Sequence, residues 1–216
     1  MIRARAIKGL YAITPDSTDD HDLLGRVSLA LQGGAKVLQY RNKAANPAQR
    51  LRQARALRDL TRDFGTLFIV NDDAQLAEQV DADGVHLGSG DGEIAAARRL
   101  LGADKLIGSS CYNRAELARE AARSGADYVA FGAFFPSGVK PGAVRAEPPL
   151  LREMRKELAI PIVAIGGITS SNGAPLIEAG ASALAVISAV FGATDIKAAA
   201  QEFSELFSRT QGHDFA

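Results

Sequence analysis

The 216-residue chain has one cysteine and no tryptophan, and its charges cancel, with 25 Lys and Arg against 25 Asp and Glu. The lone Cys111 excludes an internal disulfide framework and a CxxC metal site, and it suits a reducing compartment. Balanced charge gives no long-range field toward nucleic acid or an anionic membrane, so any anion site has to be local. Long apolar runs are also missing. Nothing approaches a membrane span, and the basic start Met1-Ile2-Arg3-Ala4-Arg5 is not followed by the apolar stretch of a signal peptide. These absences point to a soluble cytoplasmic protein without nucleic-acid or membrane partners, and they leave its oligomeric state open.

A hydrophobic content of 47% is ample for the core of one domain of this size. Apolar or β-branched runs at 9–14, 35–39, 66–70, 84–87, 105–108, 128–132, 161–166 and 183–187 read as eight strands. Between them, segments rich in Ala, Leu, Arg and Glu show helical spacing, notably 47–64, 92–101, 114–124, 150–158, 172–179 and 195–207. Gly33-Gly34-Ala35, Ser124-Gly125-Ala126 and Ala179-Gly180-Ala181 each end a helix on glycine just before a strand. Such alternation makes a parallel sheet covered by helices, and eight units in this length favour a closed (β/α)8 TIM barrel over an open doubly wound sheet. The expected layout is a single α/β domain over 1–216, with 1–7 and 209–216 as flexible ends.

In a barrel of this kind the chemistry sits beyond the carboxyl ends of the strands. Here those positions carry Thr14-Pro15-Asp16, Gln39-Tyr40-Arg41-Asn42-Lys43, Asn71-Asp72-Asp73, His86 to Asp91, Ser109-Ser110-Cys111, Phe135 to Lys140, Gly166-Gly167-Ile168-Thr169 and Ile187-Ser188. Arg41 and Lys43 alternate, so on a strand end they share a face with Gln39 while Tyr40 and Asn42 face the other way. Two cations and an amide suit a phosphorylated ligand. The competing explanation is an ion-pair network with the aspartates inside the barrel, but such charges are costly to bury without a ligand.

Asp72 and Asp91, from adjacent strand ends, supply the hard oxygens that Mg²⁺ prefers. Helix capping is the plain alternative, and one of Asp72 and Asp73 is expected to cap a helix starting near Ala74. The Gly166-Gly167 loop and Ile187-Ser188 match the phosphate grip that barrels build from their seventh and eighth loops, although a tight turn into a capped helix has the same letters. His86 reads as a barrel-filling residue, and Cys111 as a small buried side chain rather than a nucleophile.

Gln39-x-Arg41-x-Lys43, Asn71-Asp72-Asp73, His86-Leu87-Gly88-x-x-Asp91, Gly108-x-Ser110, the stretch from Phe131 to Ser137 with Lys140, and Ile165-Gly166-Gly167-Ile168 together resemble the thiamine phosphate synthase family along nearly the whole chain. The resemblance implies a (β/α)8 barrel that joins 4-amino-2-methyl-5-hydroxymethylpyrimidine diphosphate to a thiazole phosphate, releasing pyrophosphate, with one Mg²⁺ per site as cofactor. It also implies that Gln39, Tyr40, Arg41, Asn42, Lys43, Asn71, Ser110 and Lys140 bind the pyrimidine diphosphate. Asp72 and Asp91 would hold the metal, and Ser137, Gly138, Val139, Gly167, Ile187 and Ser188 the thiazole phosphate. Arg41, Lys43, Lys140 and Ser110 would be the catalytic set.

One departure stands out. Family members often carry hydroxyl residues across the sixth loop, whereas here Ser137 is followed by Gly138 and Val139. A backbone contact survives that change; a side-chain hydroxyl contact at Val139 does not. The 135–144 loop, with Pro136, Gly138, Pro141 and Gly142, reads equally as a hinged lid or a static turn. Two other functions fit the same barrel: a thiazole tautomerase-like paralogue, which has no use for a metal-diphosphate site, and a non-catalytic barrel that binds thiamine precursors.

Overall fold

The computed structural model describes residues 7–88, 90, 92–136 and 144–211. Eight strands alternate with helices: β1 (Gly9–Ile13), α1 (Asp20–Gln32), β2 (Val37–Tyr40), α2 (Pro47–Asp63), β3 (Leu67–Asn71), α3 (Ala74–Gln79), β4 (Gly84–Leu87), α4 (Ile94–Leu101), β5 (Leu106–Tyr112), α5 (Ala115–Arg123), β6 (Tyr128–Phe131), α6 (Pro148–Glu157), β7 (Ile162–Ile165), α7 (Ala174–Glu178), β8 (Ala183–Val186), α8 (Ser188–Phe191) and α9 (Ile196–Gln211). Each strand pairs in parallel with the next, and β8 returns to β1 through the register Gly9 to Ala183, closing the expected (β/α)8 barrel.

Short apolar strands suit this arrangement because both faces are covered, the inner by the barrel core and the outer by helices. Every residue of β2, β4, β6 and β8 is buried. The glycine punctuation works through hydrogen bonding. At the end of α1, Gly34 takes φ +98° and lets the Ala35 N–H reach back to the Ala30 carbonyl at 3.2 Å. Gly125 and Gly180 do the same for Ala126 to Ala121 and for Ala181 to Leu176. This closing motif satisfies carbonyls that a helix end leaves open and turns the chain into the next strand. At the other ends Asp19, Asn46 and Asp73 accept backbone N–H bonds from Asp22, Gln49 and Leu76.

Some boundaries differ from those read in the sequence. β5 runs on to Tyr112 instead of stopping at 108, and α1 and the four-residue α8 lie outside the segments singled out by spacing. Within the segments expected as ends, Ile7 is fully buried in the barrel interior, and α9 continues to Gln211. Among the described residues no helix is long and apolar enough to cross a membrane.

The amino-terminal end of the barrel is held by a repeated ionic clamp. Before β4, Asp83 accepts Arg58 Nη1 at 2.8 Å and the Phe68 N–H at 2.9 Å; before β6, Asp127 accepts Arg98 Nη2 at 2.5 Å and the Ile107 N–H at 2.8 Å. Each aspartate therefore ties a helix to two neighbouring strands. The Arg58–Asp83 pair is nearly buried, with side chains 10% and 15% exposed. Without Asp83 the nearly buried Arg58 keeps, among the described residues, only Asp81 at 4.0 Å, so Asp83→Ala should cost about 3 kcal/mol of unfolding free energy in a urea titration. Cys111 is buried, and desolvation pushes its thiol up to about 12. A thiol with so high a value stays protonated at neutral and mildly basic pH, so iodoacetamide at pH 8 should leave the native protein unlabelled by mass and modify it after denaturation.

Candidate active site

The carboxyl ends of the strands enclose a cavity of about 620 Å³, within the range of small-molecule sites. Of the residues singled out in the sequence, it brings together Gln39, Arg41, Asn71 and Ser110 from β2, β3 and β5, and Gly167, Ile187 and Ser188 from the turns after β7 and β8. Apolar Ile13, Val163, Ile165 and Ala185 line it between these polar groups.

The cationic cluster is organised by the loop after β1. Thr14 Oγ1 donates to the Arg41 carbonyl and accepts the Arg41 N–H, both at 2.8 Å. Asp16 Oδ1 accepts Arg41 Nη1 at 3.1 Å and the Lys43 N–H at 2.8 Å. Arg41 is thereby drawn to the cavity wall at 18% exposure, while the Lys43 side chain stands at the rim, 60% exposed, with Nζ 3.7 Å from Asp72 Oδ2.

Tyr40 and Asn42, expected among the ligand-binding residues, turn their side chains away from the mouth. Tyr40 Oη donates to Gln53 Oε1 of α2 at 2.8 Å, and Asn42 Nδ2 donates to the same oxygen at 2.9 Å and to the Ser17 carbonyl at 2.6 Å. The strand's period of two sends neighbours of Gln39 and Arg41 outward, so these two side chains brace β2 against α2 and leave at most their backbone to a ligand.

The neighbouring aspartates divide their work. Asp73 accepts the Leu76 N–H at 2.9 Å as the cap of α3 and pairs with Arg50 at 3.0 Å. Asp72 sits in the left-handed region at φ +64°, its N–H bonded to the His86 carbonyl at 2.8 Å. Aspartate tolerates that backbone better than most side chains, and Asp81 before β4 adopts it as well, at φ +50°. Asp72 does not line the main cavity. With Asp73 and Arg50 it borders a separate recess between α3 and α4. Among the described residues no three acidic, histidine or cysteine side chains converge as a metal cluster. Asp91, and Ser137, Gly138, Val139 and Lys140 of the sixth loop, lie outside the described residues, so their expected metal and substrate contacts do as well.

Gly167, at φ +63°, faces the carbonyls of Phe135 and Pro136 so closely that a Cβ would collide with them. Asn172 holds the same turn from behind, donating to the Gly167 carbonyl at 3.1 Å and accepting the Thr169 N–H at 2.8 Å. The seventh loop is thus a packed platform under the start of the sixth.

Sequence reasoning missed the polar floor of the cavity. Tyr11, Tyr128 and His86 meet there, with Tyr11 Oη 2.9 Å from Tyr128 Oη, Tyr128 Oη 3.2 Å from His86 Nδ1, and His86 Nε2 2.9 Å from Ser110 Oγ. Burial pushes both phenols well above their ordinary range, so they remain protonated. The available signal was parity: Tyr11 lies two residues before Ile13 on β1 and Tyr128 two before Ala130 on β6, and all four line the cavity. Tyr112, at φ +54° beyond a register shift in β5, also lines it.

The model of the family described as thiamine monophosphate synthase matches residues 10–190. A thiamine-phosphate synthase of Methylobacillus flagellatus is 58% identical over 202 residues, covering 94% of this chain and 96% of that protein. One from Chromobacterium violaceum is 54% identical, covering 93% and 97%. The solved structure of a thiamine phosphate pyrophosphorylase from Pyrococcus furiosus superposes with a TM-score of 0.84 at 36% identity, covering 96% of this chain and 98% of that one. With its closed barrel, its paired cations at the second strand end and this likeness over nearly its full length, the chain belongs to the thiamine monophosphate synthase family.

Proposed function

We propose that the mouth joins 4-amino-2-methyl-5-hydroxymethylpyrimidine diphosphate to a thiazole phosphate, giving thiamine phosphate and pyrophosphate, in the cytoplasm. The observation that carries this reading is the Arg41–Lys43 cluster. Asp16 holds the Arg41 guanidinium and the Lys43 backbone N–H, so two cations stand at one edge of a mainly apolar cavity, which suits a ligand with an anionic end and a flat ring. Arg41 and Lys43 take the diphosphate, Gln39, Asn71 and Ser110 face the pyrimidine, and Gly167, Ile187 and Ser188 receive the thiazole phosphate at the ends of β7 and β8. Lys140 joins the diphosphate set through the family pattern.

The carbon–oxygen bond to the diphosphate breaks first, the bonding pair leaving with pyrophosphate and a cation remaining on the pyrimidine methyl carbon. The thiazole nitrogen lone pair then forms the new carbon–nitrogen bond. Arg41 and Lys43 stabilise the charge that grows on the leaving group, and the cavity holds both rings in line, so no protein nucleophile is required. This agrees with the protonated, buried state of Cys111.

Asp72 fits a divalent cation by donor chemistry: a hard carboxylate at a strand tip, held by a left-handed backbone, while its neighbour Asp73 is used as a cap. With Asp91 it would hold Mg²⁺, which supplies positive charge to the diphosphate. The tautomerase-like alternative has no use for that charge, and the Lys43–Asp72 pair favours the synthase.

Incubation with both precursors and Mg²⁺ should yield thiamine phosphate and pyrophosphate in equal amounts, and EDTA should abolish both. Precursor binding without product would support the non-catalytic barrel instead. Arg41→Ala and Asp72→Ala should each lower kcat on the order of a hundredfold or more while circular dichroism stays native. Turnover close to that of the unaltered protein in either variant would remove these residues from the site.

A further inference from the structure

The floor of the cavity is a continuous hydrogen-bonded chain, and its chemistry gives it a direction. It starts at Gln39, whose Nε2 donates to Tyr11 Oη at 2.8 Å, and runs through Tyr128 and His86 to Ser110. Five strands contribute one residue each, and Gln39, Tyr11, Tyr128 and His86 are all less than 9% exposed. An amide NH₂ can only donate, so Tyr11 oxygen accepts from Gln39 and its own proton has to go to Tyr128. Tyr128 has then accepted once, and its proton goes to His86 Nδ1. A neutral imidazole that accepts at Nδ1 carries its proton on Nε2, which donates to Ser110 Oγ. With the Gln39 amide presenting its NH₂ to Tyr11, the reverse direction would leave the buried Tyr11 proton without an acceptor, a cost comparable to a lost hydrogen bond.

We propose that Tyr11, Tyr128 and His86 are positioning residues: the chain holds His86 as the Nε2–H tautomer and thereby commits the Ser110 hydroxyl to donate into the cavity. A hydroxyl committed in this way donates to a ring nitrogen of the incoming heterocycle, so a network behind the cavity wall sets which edge of the ring is read. A backbone feature supports the arrangement independently. Gly108, beside the chain on β5, has no side chain, and a Cβ there would collide with both the Tyr128 ring and His86 Nδ1. Glycine at 108 is what lets the phenol and the imidazole come within bonding reach.

The inference rests on the assignment of Ser110 to the pyrimidine side, and its test separates the two. Histidine ¹⁵N NMR of the ligand-free full chain reads the tautomer without substrate, and replacing His21 and His213 leaves His86 as the single signal. The expected state is Nε2–H, becoming a mixture in Tyr11→Phe and Tyr128→Phe. In steady-state kinetics, Tyr128→Phe should raise KM for the pyrimidine diphosphate roughly tenfold, the size of one buried hydrogen bond, with KM for the thiazole phosphate little changed, while the Tm falls by a few degrees because Tyr11 and His86 lose their partner. In a Ser110→Ala background the same substitution should add little, because Tyr128 acts through Ser110. An Nδ1–H tautomer in the unaltered protein, a tautomer unmoved in both phenylalanine variants, or equal costs of Tyr128→Phe with and without Ser110 would each overturn the proposal. Failure of the proposed reaction alone would show as absent product while the tautomer result stands.

Discussion

The closed parallel barrel imposes a strict alternation, and the other features of the molecule follow from it. Once β8 pairs with β1, no strand can slip by one residue without turning its inward side chains out. On β2 that alternation sends Gln39 to the cavity floor and Tyr40 to α2, and beyond the strand end it sends Arg41 to the cavity wall and Asn42 to Gln53. Four consecutive residues are thus divided between the cavity and its supporting helix by geometry alone.

The two ends of the barrel use the same residue type for opposite purposes. At the amino-terminal end Asp83 and Asp127 are consumed by arginines and backbone N–H groups, which ties helices to strands. At the carboxyl end Asp73 is consumed in the same way, as a cap with an arginine partner, but the adjacent Asp72 is turned by its left-handed backbone toward the rim and Lys43. Carboxylates that collect an arginine and a backbone N–H tie elements together, whereas Asp72 lies 3.7 Å from the exposed Lys43 at the rim.

Between these ends the barrel interior changes character. Its lower part is apolar, built from Ile7, Val37, Ile69, Leu106, Val163 and Ala183. Above it lie two buried phenols, an imidazole and an amide that are tolerable only because each meets another. Such a network is rigid, since displacing one member strands the polar atoms of the next. The ring-sized space above it is therefore bounded by oriented dipoles on one side and by the turn after β7 on the other.

The strands, most of the helices and the barrel itself were legible in the sequence, because apolar runs, helical spacing and glycines at helix ends are local signals that each element carries within its own ten or so residues. The strand-end clusters were legible for a related reason: polar residues directly after an apolar strand have few structural uses, and their order matches a family pattern. The division between Asp72 and Asp73 was visible only as a choice, since either could cap α3 until the backbone torsion at Asp72 was known. The polar floor showed only as strand parity. Tyr11 and Tyr128 are 117 residues apart, each looks like an ordinary core aromatic in its own strand, and only closure of the barrel brings their hydroxyls within 2.9 Å. The chain by itself determined which elements form and which strand ends carry charge, because those depend on neighbours in sequence; the tertiary structure alone decided which polar atoms meet, because a hydrogen bond depends on distance and direction across strands that the sequence does not order in space.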